Sequence, residues 1–112
     1  MNAADLHATV FADLAAAVET PADGTISRTL YQDAFIKVVL FGLAAGQELS
    51  EHTASVPALL HFVRGDARVT LGPNALQAGA NAWVHMPAQL PHSIRALEPT
   101  VMLLVLLKGA DK

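Results

Sequence analysis

The sequence predicts one small all-β domain of the sandwich or barrel class, preceded by a short N-terminal helix. Three observations predict it. From residue 25 onward, β-branched, aromatic and leucine residues gather in short runs. Each run ends at turn-forming Gly, Pro, Asn or Asp, and the runs recur at short spacing with no helical pattern between them. With 112 residues and a hydrophobic content of 53%, the chain can bury a sizeable core within a single domain.

Residues 1–24 are predicted as an N-terminal arm that carries the helix. Residues 11–19 are rich in alanine and place apolar side chains at 11, 14, 15 and 18, which is the spacing of one helical face. Pro21, Asp23 and Gly24 then end the helix. His7 falls in a loose N-terminal stretch and carries no functional signal. The β-domain is predicted to fill residues 25–112.

The strands of this domain follow from the turn-bounded runs. Two of them, at 38–43 and 101–107, are apolar on both faces, so both faces need cover. The N-terminal helix can cover one outer face and a second subunit the other, so we predict a homodimer. The predicted strands lie near 25–32, 34–43, 50–54, 57–64, 67–72, 75–77, 82–87, 92–97 and 100–108.

Composition and charge exclude several classes of function. The formal net charge is -3 and the seven Lys and Arg residues are scattered, so no basic stripe is available for nucleic acid. No apolar run reaches the roughly 18 residues that cross a bilayer, which argues against a membrane protein. The absence of cysteine excludes disulfides, thiolate metal sites and a cysteine nucleophile. Since no positive charge precedes an apolar stretch near residue 1, we expect a cytoplasmic protein.

Residues 46–65 resemble the first motif of the cupin family, in which Gly, His-x-His, Glu and Gly follow one another at set spacing. Gly46, His52 and Gly65 stand at matching positions. Ala54 replaces the second His of that motif and Ala58 replaces the Glu.

Residues 79–96 resemble the second cupin motif, which runs from Gly through a Pro-x-Gly turn to His and then Asn. Gly79, Pro87 and His92 match this motif, whereas Gln89 replaces the Gly of the turn and Ala96 replaces the Asn. The chain therefore resembles a small single-domain cupin, of the RmlC-like conserved-barrel type, with a degenerate metal motif. The resemblance implies a double-stranded β-helix, or jelly-roll barrel.

The resemblance also implies a barrel pocket marked by His52 and His92. In cupins the matching His-x-His, Glu and His hold Fe, Mn, Ni or Zn. Two imidazoles alone make a weak metal site. His85 is a possible third ligand, whereas His61 alternates with Leu60 and Phe62 and should face away from the pocket.

Three hypotheses follow for the function, and no catalytic residue is assigned. The first is a module that binds or senses a small, partly apolar ligand. The second is a metal-dependent cupin enzyme of the dioxygenase, isomerase or decarboxylase type, which would hold its ion through His52, His92 and a third ligand or waters. The third is a structural dimer module with a vestigial pocket. The predicted pocket is lined by His52, Ala54, Ala58, Leu60, Phe62 and His92.

Overall fold

A computed structural model describes residues 6–111 of the chain, and these residues form two antiparallel sheets. All nine predicted strands are present, with ends that differ from the prediction by no more than two residues. The strands are β1 (Thr25–Gln32), β2 (Ile36–Leu43), β3 (Glu48–His52), β4 (Ala58–Arg64), β5 (Asp66–Leu71), β6 (Asn74–Gly79), β7 (Trp83–Met86), β8 (His92–Ala96) and β9 (Thr100–Leu107).

The strand order is that of a jelly roll. One sheet has the order β1-β2-β9-β4-β7 and the other has the order β3-β8-β5-β6. Strands distant in sequence are neighbours in both sheets, because the chain crosses repeatedly from one sheet to the other. In the described part of the chain no strand pairing joins the two sheets at an edge. The predicted barrel is therefore an open sandwich and not a closed cylinder.

The core lies between the sheets and follows the alternation of the strands. In β4, Ala58, Leu60 and Phe62 are buried while the residues between them point to the outer face. Met102 of β9 pairs with Phe62 in the ladder and is buried with it. The buried core residues are Leu43, Ala58, Leu60, Phe62, Ala67, Val69, Ala78, Val84, Met86, Ile94, Ala96 and Met102.

The N-terminal helix predicted over residues 11–19 is wrong, because the segment contains only a short 3-10 turn at Leu14–Ala16. Asp13 precedes this turn in an extended conformation and its side chain makes no capping hydrogen bond. Short helices are marginal without tertiary support, so contacts with the sheet decide the conformation of such a segment. Residues 1–5 of the predicted arm lie outside the described residues.

Several contacts hold the arm across the outer face of the five-stranded sheet. Arg28 donates a hydrogen bond from Nη1 to the Ala17 carbonyl oxygen at 2.8 Å, and its guanidinium lies 5.5 Å from the centre of the Phe11 ring. Val18 is buried in a second apolar cluster on this face. The backbone of Glu19 crosses directly over Gly42, where any Cβ would collide with the Glu19 carbonyl. The arm thus covers one part of this outer face.

Of the helices found among residues 6–111, none combines the length and the hydropathy that crossing a bilayer requires.

Candidate functional site

A bulge in β3 aims His52 toward the inside of the sandwich. Leu49 lies opposite Ile94 in β8, and His52 lies opposite His92, so β3 has one more residue than β8 over this stretch. In a regular strand Leu49 and His52 would be on opposite faces, because they are three positions apart. The irregularity lets both residues share the inner face. His92 shares one face of β8 with the buried residues Ile94 and Ala96 and is 6% exposed.

The two imidazole rings contact each other and are fixed by the main chain. Their centroids are 4.3 Å apart and their planes are tilted by 59°. The Nδ1 atom of His52 lies 2.8 Å from the Ser50 carbonyl oxygen, and that of His92 lies 2.9 Å from the Leu90 carbonyl oxygen. Since a carbonyl oxygen only accepts, each Nδ1 donates a proton. In the neutral ring Nε2 then keeps its lone pair and can accept a hydrogen bond or bind a metal.

The surroundings of the histidine pair are apolar on two sides. Leu71 of β5 lies opposite His92 in the ladder and is half-buried. Leu90 is half-buried as well and packs against the core. Sequence reasoning missed both leucines, although the position of Leu90 two residues before His92 was a usable signal. The contribution of Leu71 depends on strand register, which the sequence does not reveal.

The loop before β8 is tied to the loop after β3. The Gln89 backbone N–H donates to the Ala54 carbonyl oxygen at 2.8 Å, so this loop closes over the segment that follows His52. Gln89 has a φ of 69°, in the left-handed region that favours glycine. This is the position at which the second cupin motif has its Gly, and the backbone here keeps the conformation that a Gly would adopt most easily.

Half of the predicted pocket lining lies in the closed core. Ala58 and Leu60 are 1% exposed and Phe62 is 0% exposed, so a water molecule reaches almost none of their surface. His52 is exposed and Ala54 is half-buried. His92 is buried and is the first residue of β8. The structure therefore brings together the two histidines and the loop of Ala54, and it places Ala58, Leu60 and Phe62 below them in the packed interior.

The remaining histidines of the sheets point away from this site. His61 lies opposite Trp83, and His85 lies opposite Leu59, in the β4–β7 ladder. All four residues alternate with buried ones, so they share the outer face of the five-stranded sheet. The structure does not bring His85 to the pair as a third ligand.

The donor set does not fit a resident transition metal. Protein sites for such ions present three or more ligands, with hydrogen bonds that orient them. His52 and His92 have oriented Nε2 atoms. Within residues 6–111, however, no group of three or more His, Cys, Asp or Glu side chains could hold a metal ion. We therefore derive no chemical step through a metal.

Comparison with solved structures identifies the fold family. No family model and no curated protein matches the sequence. A conserved protein of unknown function from Streptococcus pyogenes is 30% identical with a TM-score of 0.82, and the match covers 93% of this chain and 91% of that one. A cupin superfamily protein from Desulfitobacterium hafniense is 23% identical with a TM-score of 0.82, and the match covers 92% and 94% of the two chains. This chain is a small cupin domain.

The cupin fold also occurs in a larger neighbour. An oxalate decarboxylase variant from B. subtilis is 25% identical with a TM-score of 0.71, over 79% of this cupin and 26% of that chain. The neighbours thus include a protein of unknown function and an enzyme. The fold is shared by proteins with different activities, so the function has to be argued from the site itself.

Proposed function

We propose that this cupin binds a small, partly apolar ligand whose polar group contacts His52 and His92. The observation that carries the proposal is the imidazole pair, with centroids 4.3 Å apart and both Nδ1 atoms hydrogen-bonded to main-chain carbonyls. Those bonds orient the rings before any ligand arrives, which reduces the entropy lost on binding. The Nε2 atoms remain as the polar atoms that the two rings can offer to a ligand.

The side chains around the pair define the chemical class of the ligand. With neutral rings, two Nε2 lone pairs accept hydrogen bonds, so the ligand needs a donor such as a hydroxyl or amine group. Leu71 and Leu90 offer apolar surface beside the rings. Alanine stands at 54 and 58, the two positions where cupin metal motifs carry a second His and a Glu, so neither position adds a polar side chain. A small hydroxyl-bearing molecule with an apolar body satisfies both requirements.

A thermal-shift screen with small alcohols, phenols and amines tests this proposal. A compound present at 100 times its Kd stabilises the protein by about 2.7 kcal/mol, which raises the melting temperature measurably. We expect this shift in the wild type, and we expect its loss in His52→Ala and His92→Ala. His85→Ala is the matched control, since it removes an imidazole from the outer face. If a compound raises the melting temperature of His92→Ala as much as that of the wild type, the proposed binding site is wrong.

Elemental analysis of the protein purified without a histidine tag separates the proposal from the metal-dependent alternative. A metal content far below one ion per chain agrees with ligand binding. Iron, manganese, nickel or zinc near one per chain, lost in His52→Ala and His92→Ala, would instead support a metal-dependent enzyme. If no compound shifts the melting temperature and no metal is present, a structural module with a vestigial pocket is the better description.

A further inference from the structure

A cavity of about 490 Å³, which we name the arm cavity, lies between the N-terminal arm and the outer face of the five-stranded sheet. Its volume is within the range of about 300–1,000 Å³ that small-molecule sites occupy. The histidine pair is not part of it, because His52 and His92 belong to the four-stranded sheet. The wall of the arm cavity includes Phe11, Leu14, Leu30, Tyr31, Val38 and Leu103.

An irregularity in β1 turns two neighbouring residues toward the arm cavity. In a regular strand Leu30 and Tyr31 would point to opposite faces, because they are adjacent in sequence. The pairing of β1 with β2 shifts between Thr29 and Tyr31, and Leu30 has no partner in the register. Leu30 and Tyr31 therefore both line the cavity. Bulges re-aim side chains beside functional sites, so this one supports the interpretation of the cavity as a binding site.

The arm contributes an apolar wall to the cavity. Phe11 and Leu14 of the arm line it and are half-buried. Arg28 of β1 holds this part of the arm through a hydrogen bond to a main-chain carbonyl and through its contact with the Phe11 ring. His7 and Thr9 are the polar residues that the arm adds, and both are exposed. An apolar body can therefore lose contact with water on the arm side as well as on the sheet side.

The hydroxyl group of Tyr31 is held in a fixed direction. It donates a hydrogen bond to Asp33 Oδ2 at 2.8 Å, while Asp33 Oδ1 accepts from the Phe35 and Ile36 N–H groups at 2.7 and 2.9 Å. Because the proton of Tyr31 is engaged, its oxygen is left to accept a hydrogen bond. The bond to Asp33 also raises the pKa of the Tyr31 phenol, so the hydroxyl keeps its proton at neutral pH.

The charges near the Tyr31 hydroxyl favour a neutral ligand. Asp33 is ionised at neutral pH, since the Ile36 and Phe35 N–H groups hold its pKa below the usual value. Lys108 also lowers this pKa, so a cation lies close to the carboxylate. An anionic ligand would be repelled by Asp33 and a cationic one by Lys108. A neutral group that donates a hydrogen bond suits the free lone pair of the Tyr31 oxygen.

We propose that the arm cavity is a second ligand site, which takes a neutral molecule with an aromatic or aliphatic body and one hydroxyl group. The body packs between Phe11 of the arm and Val38 and Leu103 of the sheet. The ligand hydroxyl donates to the Tyr31 oxygen. Because the arm forms one wall, a bound molecule also joins the arm to the sheet and stabilises this segment. The proposal does not depend on ligand binding at the histidine pair.

An NMR titration of the isotope-labelled protein with 4-propylphenol tests the proposal. We expect the backbone amide signals of Phe11, Val38 and Leu103 to move together with one Kd of about 1 mM or below, as is usual for a compound of this size. The same titration of His92→Ala should give the same Kd, because that imidazole belongs to the other site. If the three signals do not move up to about 5 mM, or if they stop moving in His92→Ala, the proposal is wrong.

Two variants locate the compound within the cavity. Val38→Trp fills the space with an indole and should abolish binding. Leu76→Trp is the matched control, because it adds an indole at an exposed position of the other sheet and should leave the Kd unchanged. If Val38→Trp does not fold, Tyr31→Phe removes only the hydroxyl and should weaken binding about two- to tenfold. Binding by a folded Val38→Trp, or an unchanged Kd in Tyr31→Phe, would overturn the proposal.

Light scattering with and without 4-propylphenol distinguishes a small molecule from a protein occupant. If the arm cavity is a small-molecule site, the mass of the protein should be the same in both samples. A mass that falls as the compound binds would mean that a second copy of the chain is the natural occupant of the cavity, and the proposal would then be wrong.

Discussion

Replacing Gly65 with alanine should destabilise the fold more than any other glycine-to-alanine change at a turn of this chain. Gly65 lies between β4 and β5 with a φ of 101°, where L side chains are strained. A Cβ at this position would lie 2.5 Å from the Pro99 carbonyl oxygen, 2.5 Å from Thr100 Oγ1 and 2.6 Å from Thr100 Cα. Two of these three atoms are backbone, so the chain itself has to move.

The magnitude follows from two contributions. The backbone conformation costs a residue with a Cβ about 1–3 kcal/mol. Movement of Thr100 also breaks the hydrogen bonds of its buried hydroxyl, which donates to the Glu98 carbonyl at 2.8 Å and accepts from the Asp66 N–H at 3.3 Å. A buried hydroxyl left without partners costs about 1–3 kcal/mol. Together the two contributions predict a cost of about 2–6 kcal/mol for Gly65→Ala. This is a large share of the about 5–15 kcal/mol that stabilises a domain.

Gly46→Ala is the matched control, and urea unfolding is the assay. Gly46 has a φ of 82°, but nothing lies within 4 Å of its added Cβ, so only the backbone contribution of about 1–3 kcal/mol applies. Because the chain folds as one small domain, the transition midpoint should fall much further for Gly65→Ala with an unchanged m-value. Equal losses for the two variants, within about 0.5 kcal/mol, would refute the reasoning that contact with residues 99 and 100 dominates.

Two further predictions concern turns. Gln89→Gly should raise the free energy of unfolding by about 0.5–1 kcal/mol in urea titrations, because Gln89 has a φ of 69°; an unchanged or lower stability would contradict this. The backbone N–H groups of Ile36 and Phe35, and then the Tyr31 hydroxyl, hold the pKa of Asp33 below its usual value. Since the folded pKa is lowered, the turn's stabilisation is present above the unfolded pKa of about 4 and is lost as the pH falls through the folded value. Carboxyl carbon NMR should show this low pKa and its rise in Tyr31→Phe, and an Asp33 that titrates near 4 in both proteins would contradict the assignment.

The strands were predictable because features that are local in the sequence mark where each one begins and ends. Turn residues close every run, and burial of one face requires alternation, so the nine strands appear where the sequence places them. The N-terminal helix was not predictable from its alanine-rich pattern. Its residues have helical propensity, but Arg28 and the exposed sheet face compete for the same segment, and a helix this short has little cooperative stability of its own.

The four histidines of the sheets show where sequence reasoning stops. Alternation from Leu60 and Phe62 correctly placed His61 on the outer face. His85 was left open because the turn before His92 obscures strand parity, and the β4–β7 register then puts His85 outside. His52 faces inward only because β3 contains an irregularity after Leu49, which alternation alone would have missed. Strand register and bulges decide which imidazole rings come into contact. Both are properties of the tertiary structure, which alternation in the sequence does not reveal.

The positions that match the cupin motifs are under different structural constraints in this chain. Gly46 and Gly65 have positive φ values, so the backbone still requires them, whereas Gly79 has neither a positive φ nor a close neighbour. Positions 54 and 58, where the cupin motif has metal ligands and this chain has alanine, also differ in burial. Ala54 is half-buried in the loop after β3, so water still reaches part of its side chain. Ala58 is 1% exposed inside the packed core, where a carboxylate would be both too large and desolvated.

The difference between those two alanines supports the proposal of ligand binding over that of an incomplete metal centre. A metal centre needs a set of donors that converge on one point, and the position of Ala58 now belongs to the hydrophobic core. The polar character of the site therefore rests on the pair of imidazoles that the β3–β8 ladder brings together. Two oriented nitrogen atoms above an apolar interior are suited to hold a hydroxyl group and the carbon body attached to it.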